Sequence, residues 1–188
     1  LPHIKHFKHI RLALGFHPLL AAANKKELPL FNQLVDQTFY IGEIGLDFSK
    51  EGYMTKIEQL DVLENILALI SNKKKIVSVH SRRAEKELLK LLSNYDIKNV
   101  IFHWYSGPSS LIPSIIERGY YFSVNEAMCL SLNGQTIIKK IPHDRILTET
   151  DAPYNNNCII KNALTYLKLT EWDIYDNFNT LLYSLKKV

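Results

Sequence analysis

Four residues able to bind a cation each close an apolar run: Glu43 after Tyr40-Ile41-Gly42, His80 after Ile76-Val77-Ser78-Val79, His103 after Val100-Ile101-Phe102, and Asp151 after Ile146-Leu147-Thr148-Glu149-Thr150. Two imidazoles and two carboxylates are the donor types of a divalent-metal site. A lone histidine behind an apolar strand is ordinarily a hydrogen-bonded rim or core residue. Four such groups gathered in one place are different, because without a cation their charges and lone pairs are poorly compensated. The chemistry therefore depends on a fold that brings positions 43, 80, 103 and 151 together.

The pattern of the chain supplies one. Apolar, β-rich runs at 10–16, 39–43, 76–80, 100–104, 120–124 and 146–150 alternate with segments of helical period, the signature of repeated βα units around a parallel sheet. Several runs are almost continuously apolar, as strands buried on both faces are. Met54, Ile57, Leu60, Leu63, Leu67 and Ile70 trace one helix face; Leu88, Leu89 and Leu92 trace a second. Leu111, Ile112, Ile115 and Ile116 mark a third helix, stopped by Gly119. A capping box, Thr170-Glu171-Trp172-Asp173, opens a last helix with Tyr175, Phe178, Leu182 and Leu185 inward. Six units are about two fewer than a TIM (β/α)8 barrel needs. The chain also opens on Leu1 and not on methionine. The expected fold is thus α/β, one TIM-barrel domain over 1–188 with about two N-terminal βα units missing. An open α/β sheet is the alternative. The four strand-end ligands favour the barrel, whose C-terminal strand ends converge on one mouth.

Composition bounds the function classes. No apolar stretch exceeds strand length and no basic, apolar leader opens the chain, so a cytoplasmic protein without a membrane span is expected. Cys129 and Cys158 show no zinc spacing and read as reduced bystanders. The excess of 23 basic over 19 acidic residues mildly favours a polyanionic partner. The run Lys73-Lys74-Lys75 reads as a solvated turn, and 155–157 as a polar loop.

Longer motifs surround the four ligands: Gly42-Glu43-Ile44-Gly45-Leu46-Asp47, Val79-His80-Ser81-Arg82, Phe102-His103-Trp104-Tyr105-Ser106-Gly107, and the run from Ile141-Pro142-His143-Asp144-Arg145 to Thr148-Glu149-Thr150-Asp151-Ala152-Pro153. With Gly15-Phe16-His17-Pro18, they resemble in order and spacing the signatures of TatD-like metal-dependent deoxyribonucleases over residues 10–154. Phe122-Ser123-Val124-Asn125-Glu126-Ala127-Met128 further resembles the TatD-like component of Qat anti-phage defence systems. The resemblance implies two divalent ions per active site (Zn, Mg or Mn). Glu43 would bridge them, His80 and His103 would complete the second ion's shell, and Asp151 would bind the first and handle the proton of the attacking water. It implies DNA as substrate and other Qat-type defence proteins as partners.

Further positions carry two readings each. His17 contacts a substrate phosphate or supports the ligands; Arg82 grips a phosphate with its planar fork or makes a rim salt bridge. Glu149, on the same strand face as Asp151, orients a histidine ligand or stays a rim carboxylate. Tyr105 is a candidate for stacking a nucleobase, whereas Trp104 reads as packing. Asn125-Glu126 either puts a carboxylate near the mouth or points it outward, where it does nothing. The family's opening H-x-H is absent, and His3, His6 and His9 cannot share a strand face at their three-residue spacing. The first ion's ligands therefore precede Leu1, or at most one ion binds. The leading expectation is a metal-dependent DNase. The alternatives are a non-catalytic subunit of a defence complex and a small-molecule amidohydrolase or esterase on the same scaffold.

Overall fold

The computed structural model describes residues 8–153 and 158–185. His3, His6 and the expected loop at 155–157 lie outside the described residues. His9 sits exposed in a turn.

Five strands, β1 (Tyr40–Gly45), β2 (Ile76–His80), β3 (Val100–Phe102), β4 (Tyr121–Val124) and β5 (Ile146–Thr148), pair in chain order, every neighbour parallel. The helices are α1 (Ala21–Asn24), α2 (Leu28–Leu34), α3 (Lys56–Ile70), α4 (Glu85–Asn94), α5 (Ile112–Glu117), α6 (Glu126–Leu130), α7 (Leu132–Ile138), α8 (Ile160–Leu167) and α9 (Glu171–Ser184). A doubly wound open sheet reverses its strand order at a switch point. This order never reverses, so the chain is an arc of a TIM-barrel wall, as the strand-end ligands require. The run expected as a strand at 10–16 contributes less. Leu14 bridges Ile41, and Phe16 donates its N–H to the Glu43 carbonyl at 2.9 Å, but Ile10 and Leu12 stay exposed and pair with nothing named as a strand.

Period-two alternation sorts the strand side chains onto two faces. Ile41, Ile44, Val77, Val79, Val100, Phe102, Phe122, Val124 and Ile146 point toward the helices and form the main core. There α3 presents Val62, Leu63, Ile66, Leu67 and Ile70; of the residues expected on that stripe, Ile57 is exposed because the buried face runs through Gln59, Val62 and Leu63, and Met54 is exposed in the short turn Tyr53–Thr55 before the helix. On the opposite face Tyr40, Ile76, Ile101, Tyr121 and Leu147 form a smaller cluster with Ile174, Phe178, Leu181 and Leu182 of α9. In a complete barrel, layers of strand side chains fill this inner space. Here a helix lies over it. The capping box that starts α9 is present, with Asp173 N–H donating to Thr170 Oγ1 at 3.2 Å and Thr170 N–H to Asp173 Oδ2 at 2.7 Å. Asn177 then fixes the helix to the outer edge of β5, donating to the Ile146 carbonyl at 2.8 Å.

The lysine run is not simply solvated. Lys75 is buried, and its ammonium donates to the carbonyls of Val35 and Thr38, both at 2.6 Å, tying the end of α2 to the start of β1. Among the described residues no helix is long and apolar enough to cross a membrane.

Candidate metal centre

The inner face also carries the ligands, two residues further along each strand. Ile101 is followed by His103, Ile76 by Ser78 and then His80, and Leu147 by Glu149 and then Asp151. β1 reaches the same face by an irregularity. Its register with β2 runs Ile41↔Val77 and then Ile44↔Val79, so β1 holds one extra residue. This bulge keeps Ile41 and Ile44 both on the helix side and leaves Glu43 to face the mouth. Just beyond it Gly45, at φ +138°, lies against the backbone of His80; a Cβ there would stand 2.1 Å from the His80 carbonyl oxygen. That close approach sets Glu43 and Asp47 on either side of one imidazole.

His80 Nδ1 is 2.9 Å from Glu43 Oε1, and His80 Nε2 is 2.8 Å from Asp47 Oδ2. His103 is held the same way, with Nδ1 2.5 Å from Glu149 Oε2 and Nε2 3.1 Å from Asp151 Oδ1. The hydroxyl of Ser123 donates to Glu149 Oε2, and the amide of Asn125 donates to its Oε1 at 3.1 Å, fixing that carboxylate. His17 completes the group. Its Nδ1 accepts the Leu19 N–H at 3.3 Å, at the start of the turn Pro18–Leu20, which leaves Nε2 3.9 Å from Glu43 Oε2. The His17 and His80 rings meet edge to face at 4.9 Å between centroids.

Each of His80 and His103 therefore sits between two carboxylates with both ring nitrogens engaged, an arrangement that suits an imidazolium. Burial alone disfavours that charge, but the flanking carboxylates outweigh it. His80 is raised above its ordinary value by Glu43 and Asp47, and His103 is pushed up to about 9, chiefly by Glu149. Burial likewise works against the Glu43 anion, yet His80 and the neighbouring imidazoles hold its pKa below the usual carboxylate value. His17 goes the other way: burial lowers its pKa and favours the neutral ring that ligates metal.

This donor set fits a divalent cation. Four carboxylates, Glu43, Asp47, Glu149 and Asp151, face two histidine rings, which leaves a surplus of negative charge in a partly buried site even with both rings charged. One donor atom each from His17, Glu43 and His80 lie within 4.8 Å of one another, the spacing one ion can span.

Glu43, His80, His103, Asp151, Glu149 and His17 are thus brought to one mouth, and Asp47 joins them. Asp47 is fully buried, its Oδ1 accepting the Ser49 N–H at 2.9 Å. It stands inside the Gly42–Asp47 motif, but a residue past the strand end gave no parity by which to place it. Arg82 is half-exposed at the rim, 3.5 Å from Glu51, which is the salt-bridge reading of that residue. Tyr105 cannot stack a nucleobase. It is completely buried, donates its hydroxyl to the Pro108 carbonyl at 2.8 Å, and packs edge-on against Phe102 and Phe122. Trp104 packs against the main core as read. For Glu126 the outward reading holds: it accepts from the Ile159 N–H at 2.8 Å and the Asn162 amide at 2.6 Å, fastening the start of α8. Cys129 and Cys158 are free thiols.

A parallel βα wall that collects carboxylates and imidazoles at the C-terminal ends of its strands places this chain among TIM-barrel proteins that build their sites at that mouth. The chain belongs to the TatD related DNase family, which it matches over residues 2–174. It is 33% identical to deoxyribonuclease TATDN3 of Homo sapiens over 129 residues, covering 67% of this chain and 47% of the relative. It is 29% identical to a metal-dependent hydrolase of Methanocaldococcus jannaschii, covering 78% of this chain and 58% of the relative. The 3'-5' ssDNA/RNA exonuclease TatD of Dickeya dadantii is also 29% identical, with 74% of this chain and 56% of the relative covered. The chain spans about half the length of the curated relatives it matches. The crystal structure of the TatD homologue YJJV from Escherichia coli shares the fold, with a TM-score of 0.80 at 23% identity over 96% of this chain and 79% of that one.

Proposed function

We propose that this protein hydrolyses DNA phosphodiester bonds with divalent metal, two ions (Zn, Mg or Mn) per site. The observation that carries this is the pair of clusters on one mouth, His17–Glu43–His80 and Glu149–His103–Asp151, within a family whose named relatives include a deoxyribonuclease and a single-stranded nucleic-acid exonuclease. Glu43, whose two oxygens face different histidines, is the shared ligand; His80, His103 and His17 supply imidazoles, and Asp151 binds metal and takes the proton of the attacking water. Glu149 and Asp47 orient His103 and His80. Bound cations would acidify a water and neutralise charge on the phosphate oxygens. Cytoplasmic location and assembly with Qat-type defence proteins belong to the same proposal, supported by the free thiols and by the 122–128 motif. One metal-loaded preparation assayed on single-stranded DNA, RNA, amides and esters tests it. Cleavage confined to amides or esters would sink the nuclease reading.

Metal binding should depend steeply on pH. A ligating imidazole must be neutral, whereas the flanking carboxylates raise the pKa of His80 and push that of His103 up to about 9. Affinity for Mn2+ is expected to rise between pH 6 and pH 8.5 by about tenfold per pH unit for each proton displaced. Calorimetry in two buffers of different ionisation enthalpy would show proton release; a pH-independent affinity contradicts this ligand set. The metal-free protein shows the opposite trend. Because the folded pKa of His103 is raised, its pairing contributes fully below the unfolded value and is lost as pH rises through about 9.

A further inference from the structure

On the outer wall, away from the inner face, a groove of about 350 Å³ runs between α4 and α5. Lys86, Lys90 and Ser93 line it from α4, Ser114 and Arg118 from α5 and its last turn, and the buried Leu89 lies at its floor. Because α4 joins β2 to β3 and α5 joins β3 to β4, the middle strands of the arc, neither end of the wall borders this groove. Lys86 and Lys90 stand one turn apart on the same side of α4, about 6 Å along its axis. Arg118 is braced across the groove, its Nη1 donating to the Ser114 carbonyl at 3.3 Å and its Nη2 to Ser93 Oγ at 3.2 Å. Both acceptors are neutral. Elsewhere on the surface cations find carboxylates, as Lys25 does with Asp61, Lys73 with Asp36 and Lys98 with Asp96. Among the described residues, Lys86, Lys90 and Arg118 have no such partner, and no acidic residue lines their groove; Glu87 and Glu117, beside them in sequence, stay out of it.

We infer that this groove is a second nucleic-acid contact, a track on the outer wall that holds the sugar-phosphate backbone of a strand by Lys86, Lys90 and Arg118. The inference takes the identity of the polyanion from the nuclease reading and adds to it a surface outside the active site. Three cations facing one furrow without a counter-charge raise the local positive potential and draw a polyanion to it. The planar fork of Arg118, held in place by neutral acceptors, keeps free donors for phosphate oxygens, while the two lysines serve as point charges along the strand. No aromatic side chain lines the groove, so nothing in it stacks a base. It therefore reads charge and not sequence. Its position gives it a use. Lys86 lies in the first turn of α4, which follows the mouth end of β2, and Arg118 lies at the far end of α5. A strand leaving the metal centre over the rim can continue down this wall, where its uncut portion is kept on the protein between cleavage events.

The test is fluorescence anisotropy of a labelled oligothymidylate of about sixteen nucleotides with the metal-free protein, titrated over a range of salt concentrations. Each phosphate neutralised on a single strand contributes about −0.7 to the slope of log affinity against log salt, so the triple variant Lys86→Gln/Lys90→Gln/Arg118→Gln should flatten that slope by about two. At about 50 mM salt its affinity should fall about a hundredfold, and equally for an oligodeoxyadenylate. Lys86→Arg/Lys90→Arg/Arg118→Lys, which keeps the charges, should keep the slope. The three side chains are exposed, so the variants are expected to stay folded, checked by the urea midpoint. Lys8→Gln/Lys26→Gln/Lys168→Gln removes as much charge from exposed positions off the groove. An equal loss in that control overturns the inference, because net charge alone would then explain binding. An unchanged slope in the groove variant overturns it too, as does the absence of binding by the unsubstituted protein. Polyglutamate bound as tightly as the oligonucleotide, and lost equally in the groove variant, would assign the groove to an acidic protein and overturn it as well. The nuclease reading is judged separately, by cleavage with metal. Cleavage confined to amides or esters alongside a groove-dependent salt slope would keep the track and remove the nuclease; DNA cleavage alongside an unchanged slope would do the reverse.

Discussion

Glu43→Gln is expected to lower metal-dependent DNA cleavage by about a thousandfold or more while leaving the protein folded. Removing a single oriented electrostatic group from an active site typically costs about 10²–10³, and this carboxylate serves more than one partner. Its Oε1 lies 2.9 Å from His80 and its Oε2 3.9 Å from His17, and its charge is felt by His103. Glutamine keeps the volume and can still bond His80, so packing is spared, but it cannot balance a second cation or hold the histidines around one. Titration of the variant with Mn2+ should show loss of the tight site. The fold is checked by the urea midpoint, which should move little because Glu43 belongs to neither apolar cluster. Undiminished metal-dependent cleavage by a folded variant would remove Glu43, and the bridging role with it.

What could be read from the chain beforehand was governed by periodicity. His80, His103, Glu149 and Asp151 were legible because each follows a regular apolar run, and strand parity then puts them on one face. Glu43 was legible by position, yet its orientation depends on the bulge in β1, which no pattern of apolar residues announces; simple alternation from Tyr40 would have turned it toward the helices. Asp47 was hidden for a related reason, since it lies in the turn after the strand and reaches His80 only through the close approach at Gly45. Tyr105 was misplaced because an aromatic at a strand end looks the same whether it faces solvent or core, and three-dimensional packing against Phe102 and Phe122 decided for the core. The barrel class followed from the alternation of strands and helices. The seat of α9 did not. Its apolar spacing showed that one side would be covered, but not that it would lie over the inner face of the sheet beside the ligands.

Gly45→Ala is expected to cost at least about 3 kcal/mol of stability and to abolish tight metal binding along with it. Two separate effects combine at this position. The backbone is at φ +138°, which an L side chain rarely adopts, and the added Cβ would meet three backbone atoms of His80, the nearest at 2.1 Å. Backbone atoms cannot rotate aside as a flexible side chain would, so the strands themselves must part. They part where it matters: Gly45 pairs with His80 in the register of β1 and β2, and the next N–H, that of Leu46, donates to the same His80 carbonyl at 2.9 Å. Separating them draws Glu43 and Asp47 away from the two ring nitrogens they hold, at 2.9 and 2.8 Å. Gly119→Ala is the control that isolates the contact from the conformation. Gly119 also has a positive φ, +76°, but no atom lies within 4 Å of its would-be Cβ, so the cost there is only about 1 kcal/mol of backbone preference. Urea denaturation of the two variants should therefore separate them by about 2 kcal/mol or more. Equal midpoints would mean that the β1–β2 approach is slack, and that the placement of Glu43 against His80 does not depend on it.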